Sequence, residues 1–136
     1  MRLAQAIAAD GEGATTLVEA VVMGLDDARA REAARGILRS NLLKSAIHGR
    51  DPNWGRIVGA LGAVGVPHLD QLDLDIAGVP VLRGGVVLAW DEQAASQALK
   101  AREVQLVARL PGSGLGRAWG CDLSAEYVRI NADYRS

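Results

Sequence analysis

Residues 15–42 read TTLVEAVVMGLDDARAREAARGILRSNL, and the change of hydrophobic period inside this stretch decides the fold class. From Thr15 to Met23 the chain is β-branched and apolar, interrupted by Glu19 and closed by Gly24. That pattern predicts a strand buried largely on both faces. Asp26 or Asp27 then offers a side-chain oxygen to cap a helix. Its apolar stripe is Ala30, Ala34, Ile37, Leu38 and Leu42, while Arg29, Arg31 and Glu32 face water. The helix is expected to continue to about Gly49. A buried strand feeding an amphipathic helix calls for a sheet with helices laid on it.

Downstream, Asp51-Pro52 predicts a second helix start, since proline at the first helical position loses no needed N–H. This helix, over about 53–64, carries Gly55, Gly59 and Gly62, which weaken it but let another backbone approach closely. Leu72, Leu74 and Ile76 alternate with Asp73 and Asp75, the period of a half-buried strand. After Ala77-Gly78 the chain returns through Val79–Leu82, where Pro80 cannot donate to a ladder and so implies an edge or a bulge. Asp91 caps a helix to about Lys100, and Val104, Leu106 and Ala108 alternate as a further strand. Ala118–Leu123 reads as a last strand and Ser124–Asn131 as a short helix. With no repeat or linker to split it, residues 1–136 are expected to form one α+β domain, a mixed sheet with helices packed mainly on one side.

At the other end, Leu3, Ala4, Ile7 and Ala8 have helical spacing and Gly11 stands where a cap glycine would. So short a helix is marginal alone. Residues 1–10 therefore read as the end of a truncated helix, or else as a frayed natural terminus.

Composition narrows the function. The 136 residues are 49% hydrophobic without a single Phe, so the core is aliphatic. A formal charge of -1 provides no basic footprint for nucleic acid. A single Cys121 rules out an internal disulfide and suits a reducing, cytoplasmic setting. No window approaches the roughly 20 apolar residues that span a bilayer, so no membrane partner is expected.

Individual motifs are mostly explained by structure. Asp10-Gly11-Glu12-Gly13 is turn chemistry first, although two carboxylates flanked by glycines suit a substrate ammonium. Thr15 and Thr16 open a buried strand with no base close in sequence, which argues against a nucleophile. Cys121, with only His48 and His68 as candidate bases, reads as a small buried hydrophobe, and the same counts exclude a zinc site. Gly112-Ser113-Gly114-Leu115-Gly116 does not have the spacing of a dinucleotide loop and reads as a flexible hairpin. In Asp51-Pro52-Asn53-Trp54-Gly55-Arg56, a capped helix with Trp54 in the core accounts for all but Asn53 and Arg56. The C-terminal run from Tyr127 to Ser136 ends in hydrogen-bonding side chains, unlike a fraying tail.

DGEGAT at 10–15, GRDPNWGRI at 49–57 and CDLSAEYVRINADYRS at 121–136 together resemble one family, in its motif order. It is the bifunctional ornithine acetyltransferase/glutamate N-acetyltransferase family of arginine biosynthesis, and the likeness is to the C-terminal part of its β chain. The resemblance implies a precursor that cleaves itself into α and β chains, exposing a threonine as nucleophile. That threonine accepts acetyl from N2-acetylornithine and passes it to glutamate, with acetyl-CoA as a further donor in some members and no bound cofactor or metal. Glu12, Asn131 and Ser136 stand at positions matching the family's substrate-contacting residues, Ser136 replacing the usual threonine while keeping a hydroxyl. Thr16 stands where the family commonly has lysine. No residue of this chain matches the catalytic threonine or the oxyanion hole, which the resemblance assigns to upstream segments. The chain alone is therefore expected to be inactive, and to work with the upstream β-chain segment and the α chain in an oligomer. The alternative is a non-catalytic amino-acid-binding or interaction domain derived from the family.

Overall fold

A computed structural model describes residues 16–122. The sequence pattern produces β1 (Leu17–Leu25), α1 (Asp27–Arg39), α2 (Asn41–His48), α3 (Trp54–Ala63), β2 (Asp73–Ile76), β3 (Val79–Arg83), β4 (Val86–Val87), α4 (Glu92–Ala98), β5 (Glu103–Gly112) and β6 (Leu115–Cys121). The six strands form one sheet in the order β4-β3-β2-β5-β1-β6. Only β1 and β5 run parallel; the other pairs are antiparallel, so the sheet is mixed.

One face of the sheet carries the core. Val18, Ala20 and Val22 of β1 and Val104, Leu106, Ala108 and Leu110 of β5 are buried in one cluster with Ala30, Ala33, Ala34 and Ile37 of α1. The opposite face has a different chemistry. There Glu19 accepts from Gln105 at 2.8 Å and meets Arg117 at 3.7 Å, while Asp75 lies between Arg83 at 2.9 Å and Arg109 at 3.2 Å. Val21 is still buried on that face, but Met23 is 39% exposed, so β1 is not uniformly buried on both sides.

Four local expectations are corrected. The helix begun at Asp27 does not reach Gly49: it ends at Arg39, and Ser40 both closes α1 and caps α2 by accepting from Leu43 N at 3.1 Å. A serine hydroxyl competes for backbone amides, and here Ser40 is extended, with ψ of 107°, ending one helix and starting the next. Leu42, assigned to the buried stripe, is consequently 66% exposed. The cap of α3 is Asn53, accepting from Arg56 N at 3.1 Å, rather than Asp51, and Pro52 is buried before the helix. Trp54 is half-buried, packed against the core rather than inside it.

The fourth correction concerns residues 112–116. They do not form a hairpin, because β1 lies between β5 and β6. The chain instead crosses the end of β1, with Gly24 N donating to Gly114 O at 2.8 Å and Gly114 N to Leu25 O at 3.0 Å. A Cβ at Gly114 would overlap the Asp26 carbonyl, and one at Gly116 the backbone of Ala30. These glycines serve backbone proximity, not flexibility.

Other readings match. Asp26 caps α1 and Asp91 caps α4, at 2.8 and 2.9 Å. β3 lies inside the sheet, and Pro80 faces a register shift at Leu74/Asp75, the bulge of the two alternatives. The last strand begins at Leu115, earlier than Ala118. The truncated helix at 1–10 and the helix at 124–131 lie outside the described residues.

Candidate functional site

At one end of the sheet, β1 begins and β6 finishes side by side. Leu17 pairs with Cys121, and beyond that rung Asp122 N donates to Thr16 O at 3.0 Å. The Asp122 side chain extends the pairing: its Oδ1 accepts from Thr16 N, also at 3.0 Å. Residues 106 apart in sequence thus share a closed pair of hydrogen bonds. Thr16 and Asp122 are both buried, the aspartate completely.

Two side chains from the helical layer meet this rung. His48, the last residue of α2, places Nδ1 2.9 Å from Asp122 Oδ2. Because a carboxylate only accepts, Nδ1 carries the hydrogen. Arg50, in the connection to α3, donates from Nη1 to Thr16 Oγ1 at 3.2 Å. Its backbone adopts a left-handed φ of 59°, and its carbonyl accepts from Ser96 Oγ of α4 at 2.7 Å. Asn53 and Arg56, unexplained by the sequence, acquire structural roles nearby: Asn53 caps α3, and Arg56 Nη1 donates to Leu42 O at 2.6 Å.

This arrangement limits the chemistry of its own residues. The Thr16 hydroxyl accepts from a guanidinium, which has no lone pair with which to take its proton. Thr16 is therefore held as a structural acceptor, in keeping with the reading of it as a strand residue. Burial pushes the Cys121 thiol pKa up, Asp122 adds to that, and Lys44 opposes it. Lys44 is itself lowered by burial. A thiol kept protonated is a poor nucleophile. Among the described residues, no three His, Cys, Asp or Glu side chains gather where they could hold a metal ion. No helix among them is long and apolar enough to cross a membrane.

Glu12, Asn131 and Ser136 lie outside the described residues. What the structure does place is part of two of the motifs and the residue that follows the third. DGEGAT ends at Thr15, next to Thr16; GRDPNWGRI contains Arg50; CDLSAEYVRINADYRS contains Asp122. Three stretches far apart in sequence converge through Thr16, Arg50 and Asp122. Residues 1–136 match the ArgJ family along their whole length.

The chain belongs to the ArgJ family.

Among its relatives, the arginine biosynthesis bifunctional protein ArgJ of Parasynechococcus marenigrum is 53% identical over 97% of this chain, and that of Deinococcus radiodurans 52% over 97%. A chloroplastic ArgJ of Ricinus communis is 46% identical. The crystal structure of ArgJ from Bacillus halodurans superimposes with a TM-score of 0.91 at 42% identity, covering 98% of this chain and 64% of that one. That likeness agrees with the α+β class and the mixed sheet. The chain spans about a third of the length of the curated relatives it matches, 33% of the first and 34% of the second. The place expected for it, the C-terminal part of the family's β chain, is consistent with that share.

The contact of His48 with Asp122 spans 74 positions of sequence, a separation that no local pattern announces. The one available signal was the position of His48 directly before the GRDPNWGRI motif.

Proposed function

We propose that this chain forms part of the substrate pocket of an N-acetyltransferase that moves acetyl from N2-acetylornithine to glutamate. Glu12, Asn131 and Ser136 contact the substrates, and the threonine nucleophile and oxyanion hole come from the upstream β-chain segment and the α chain. The observation that carries this reading is the convergence of the three motif-bearing stretches on Thr16, Arg50 and Asp122. A pocket assembled from both ends of a chain needs those ends anchored together, and the Thr16–Asp122 rung supplies the anchor. Glu12 stands four residues before Thr16, so covalent reach alone keeps it within about 14 Å of the rung. Its carboxylate suits the side-chain ammonium of an ornithine, and Asn131 offers both a donor and an acceptor. Acetyl-CoA serves as an additional donor in this reading, without being a resident cofactor.

The test is acetyl transfer from N2-acetylornithine to glutamate by the enzyme containing this chain and the upstream polypeptide. Glu12→Gln and Asn131→Ala are expected to raise KM for acetylornithine about tenfold or more, the effect of losing a charge-assisted hydrogen bond. Unchanged KM in both variants would remove these residues from the pocket. The 136-residue chain alone should show no turnover. Turnover that survives Thr15→Ala and Thr16→Ala would place a nucleophile elsewhere in this chain.

A further inference from the structure

We propose that the groove between α1 and α3 is a docking site for an acidic amphipathic helix of the upstream polypeptide; the inference rests on the acetyltransferase reading above. The groove has a volume of about 540 Å³ and is lined by Gly59, Ala60 and Ala63 of α3, by Leu42, and by two cations, Arg39 and Arg56. No acidic side chain is among its lining residues. Leu42 is 66% exposed, although it belongs to a helix whose Leu43 and Ile47 are core residues. A single exposed leucine is ordinary. This one borders a helix face with nothing larger than a methyl group, since Gly55, Gly59 and Ala63 recur every four residues on one side of α3. Gly59 has no use within the described residues: a Cβ there would meet nothing within 4 Å, whereas Gly36 leaves room for Val64. Glycine weakens a helix, so its place at 59 costs stability that no described contact returns.

Shape and charge together select the occupant. Gly55 and Ala63 are eight residues apart, so the bare face runs about 12 Å, two turns of a helix laid alongside. With no side chains in the way, a second helix can approach closer than the usual interaxial distance of about 8–10 Å. Apolar residues at i, i+4 and i+7 of that helix would fill the groove against Leu42. The two cations then fix its polar flank. Among the described residues, the Arg39 side chain makes no hydrogen bond or ion pair, and Arg56 spends Nη1 on the Leu42 carbonyl at 2.6 Å. An occupant that seats beside two guanidinium groups needs carboxylates next to its apolar residues. Two copies of this chain joined groove to groove would set arginine against arginine, with no acidic lining residue between them, which argues against a symmetric dimer. The remaining source is the rest of the enzyme, since this chain spans only about a third of the length of its relatives.

The experiment compares the 136-residue chain with the enzyme containing this chain and its upstream polypeptide. Gly59→Cys is labelled with a maleimide in both, and mass spectrometry reads the rate at position 59. The added side chain meets nothing within 4 Å, so the variant should fold. Labelling is expected to be at least about tenfold slower in the enzyme than in the chain alone. Arg39→Glu, added to Gly59→Cys, is expected to return most of that rate, because it sets a carboxylate against the occupant's own. A benzophenone amino acid at position 42 should cross-link, on illumination of the purified enzyme, to an upstream segment with helically spaced apolar residues flanked by Asp or Glu. The labelling and cross-linking arms decide the matter without Arg39→Glu should that variant fail to fold. Equal labelling rates in the chain and in an active enzyme would overturn the inference and leave the acetyltransferase reading standing. A cross-link to this chain itself, in the same copy or a second one, or to a segment without carboxylates would also overturn it. An enzyme that does not assemble or transfers no acetyl group would instead remove the acetyltransferase reading, and the inference with it.

Discussion

Replacing Gly116 by alanine tests how α1 is seated on the sheet. Gly116 belongs to β6 and its backbone conformation is open to any residue, so the added methyl carries no torsional penalty. The cost is steric. A Cβ there would overlap the Ala30 carbonyl group and the Arg31 nitrogen, which are helix backbone and cannot rotate aside. Restoring an ordinary carbon contact of about 3.5 Å requires α1 to lift by roughly 1 Å. Ala30, Ala33, Ala34 and Ile37 on that helix are no more than 1% exposed, so the lift loosens the centre of the core. Overpacking of this kind costs about 1–3 kcal/mol, and the rigid obstacle puts this case near about 3 kcal/mol. For a chain of this size the melting temperature should fall by about 10 °C. Gly59→Ala serves as the opposite case: its Cβ meets nothing within 4 Å, so the variant should gain about 0.5–1 kcal/mol from helix propensity. Urea denaturation of the chain measures both. Stability of Gly116→Ala within about 0.5 kcal/mol of the wild type, at an unchanged m-value, would refute the close seating of α1 on β6.

Further outcomes follow from the same geometry. Asp122→Ala should destabilise the chain by about 1–3 kcal/mol, because the buried Thr16 amide loses the carboxylate that accepts its hydrogen bond. Asp122→Asn should cost less, since its carbonyl still accepts from Thr16; a chemical-denaturation series in which the two are equal would count against the rung. Removing the α3 cap by Asn53→Ala should cost about 1 kcal/mol, read in the same assay. Cys121 should resist iodoacetamide at neutral pH until the chain unfolds, because burial and Asp122 hold its thiol protonated. Rapid labelling of the folded chain, followed by mass spectrometry, would contradict that. The raised folded pKa also implies that stability falls as pH rises past the unfolded thiol value, an effect Cys121→Ala should remove.

The legible part of this protein was the part governed by nearest neighbours along the chain. The apolar run at 17–22, the stripe of α1, the alternation at 72–76 and the aspartate caps at 26 and 91 are set by local period and local hydrogen bonding, so each could be read in sequence. The motifs carrying Glu12, Asn131 and Ser136 were equally plain, because residue identity and order suffice to compare them with a family. Ser40 shows where locality becomes ambiguous: its hydroxyl suits a cap, but the helical period on both sides continues through it. Only the packing of α2 against α1 and α3, with Leu43 and Ile47 in the core, resolves that. Residues 112–116 were beyond local reasoning altogether, since a glycine-rich turn looks the same whether it closes a hairpin or crosses another strand. The parallel pairing of β1 with β5 decides it, and that pairing joins segments some 86 residues apart. For the same reason the Thr16–Asp122–His48–Arg50 cluster exists only in the folded chain. Sequence determined which side chains were available and which family they resemble; tertiary structure determined which of them meet, because long-range register, not local propensity, sets that distance.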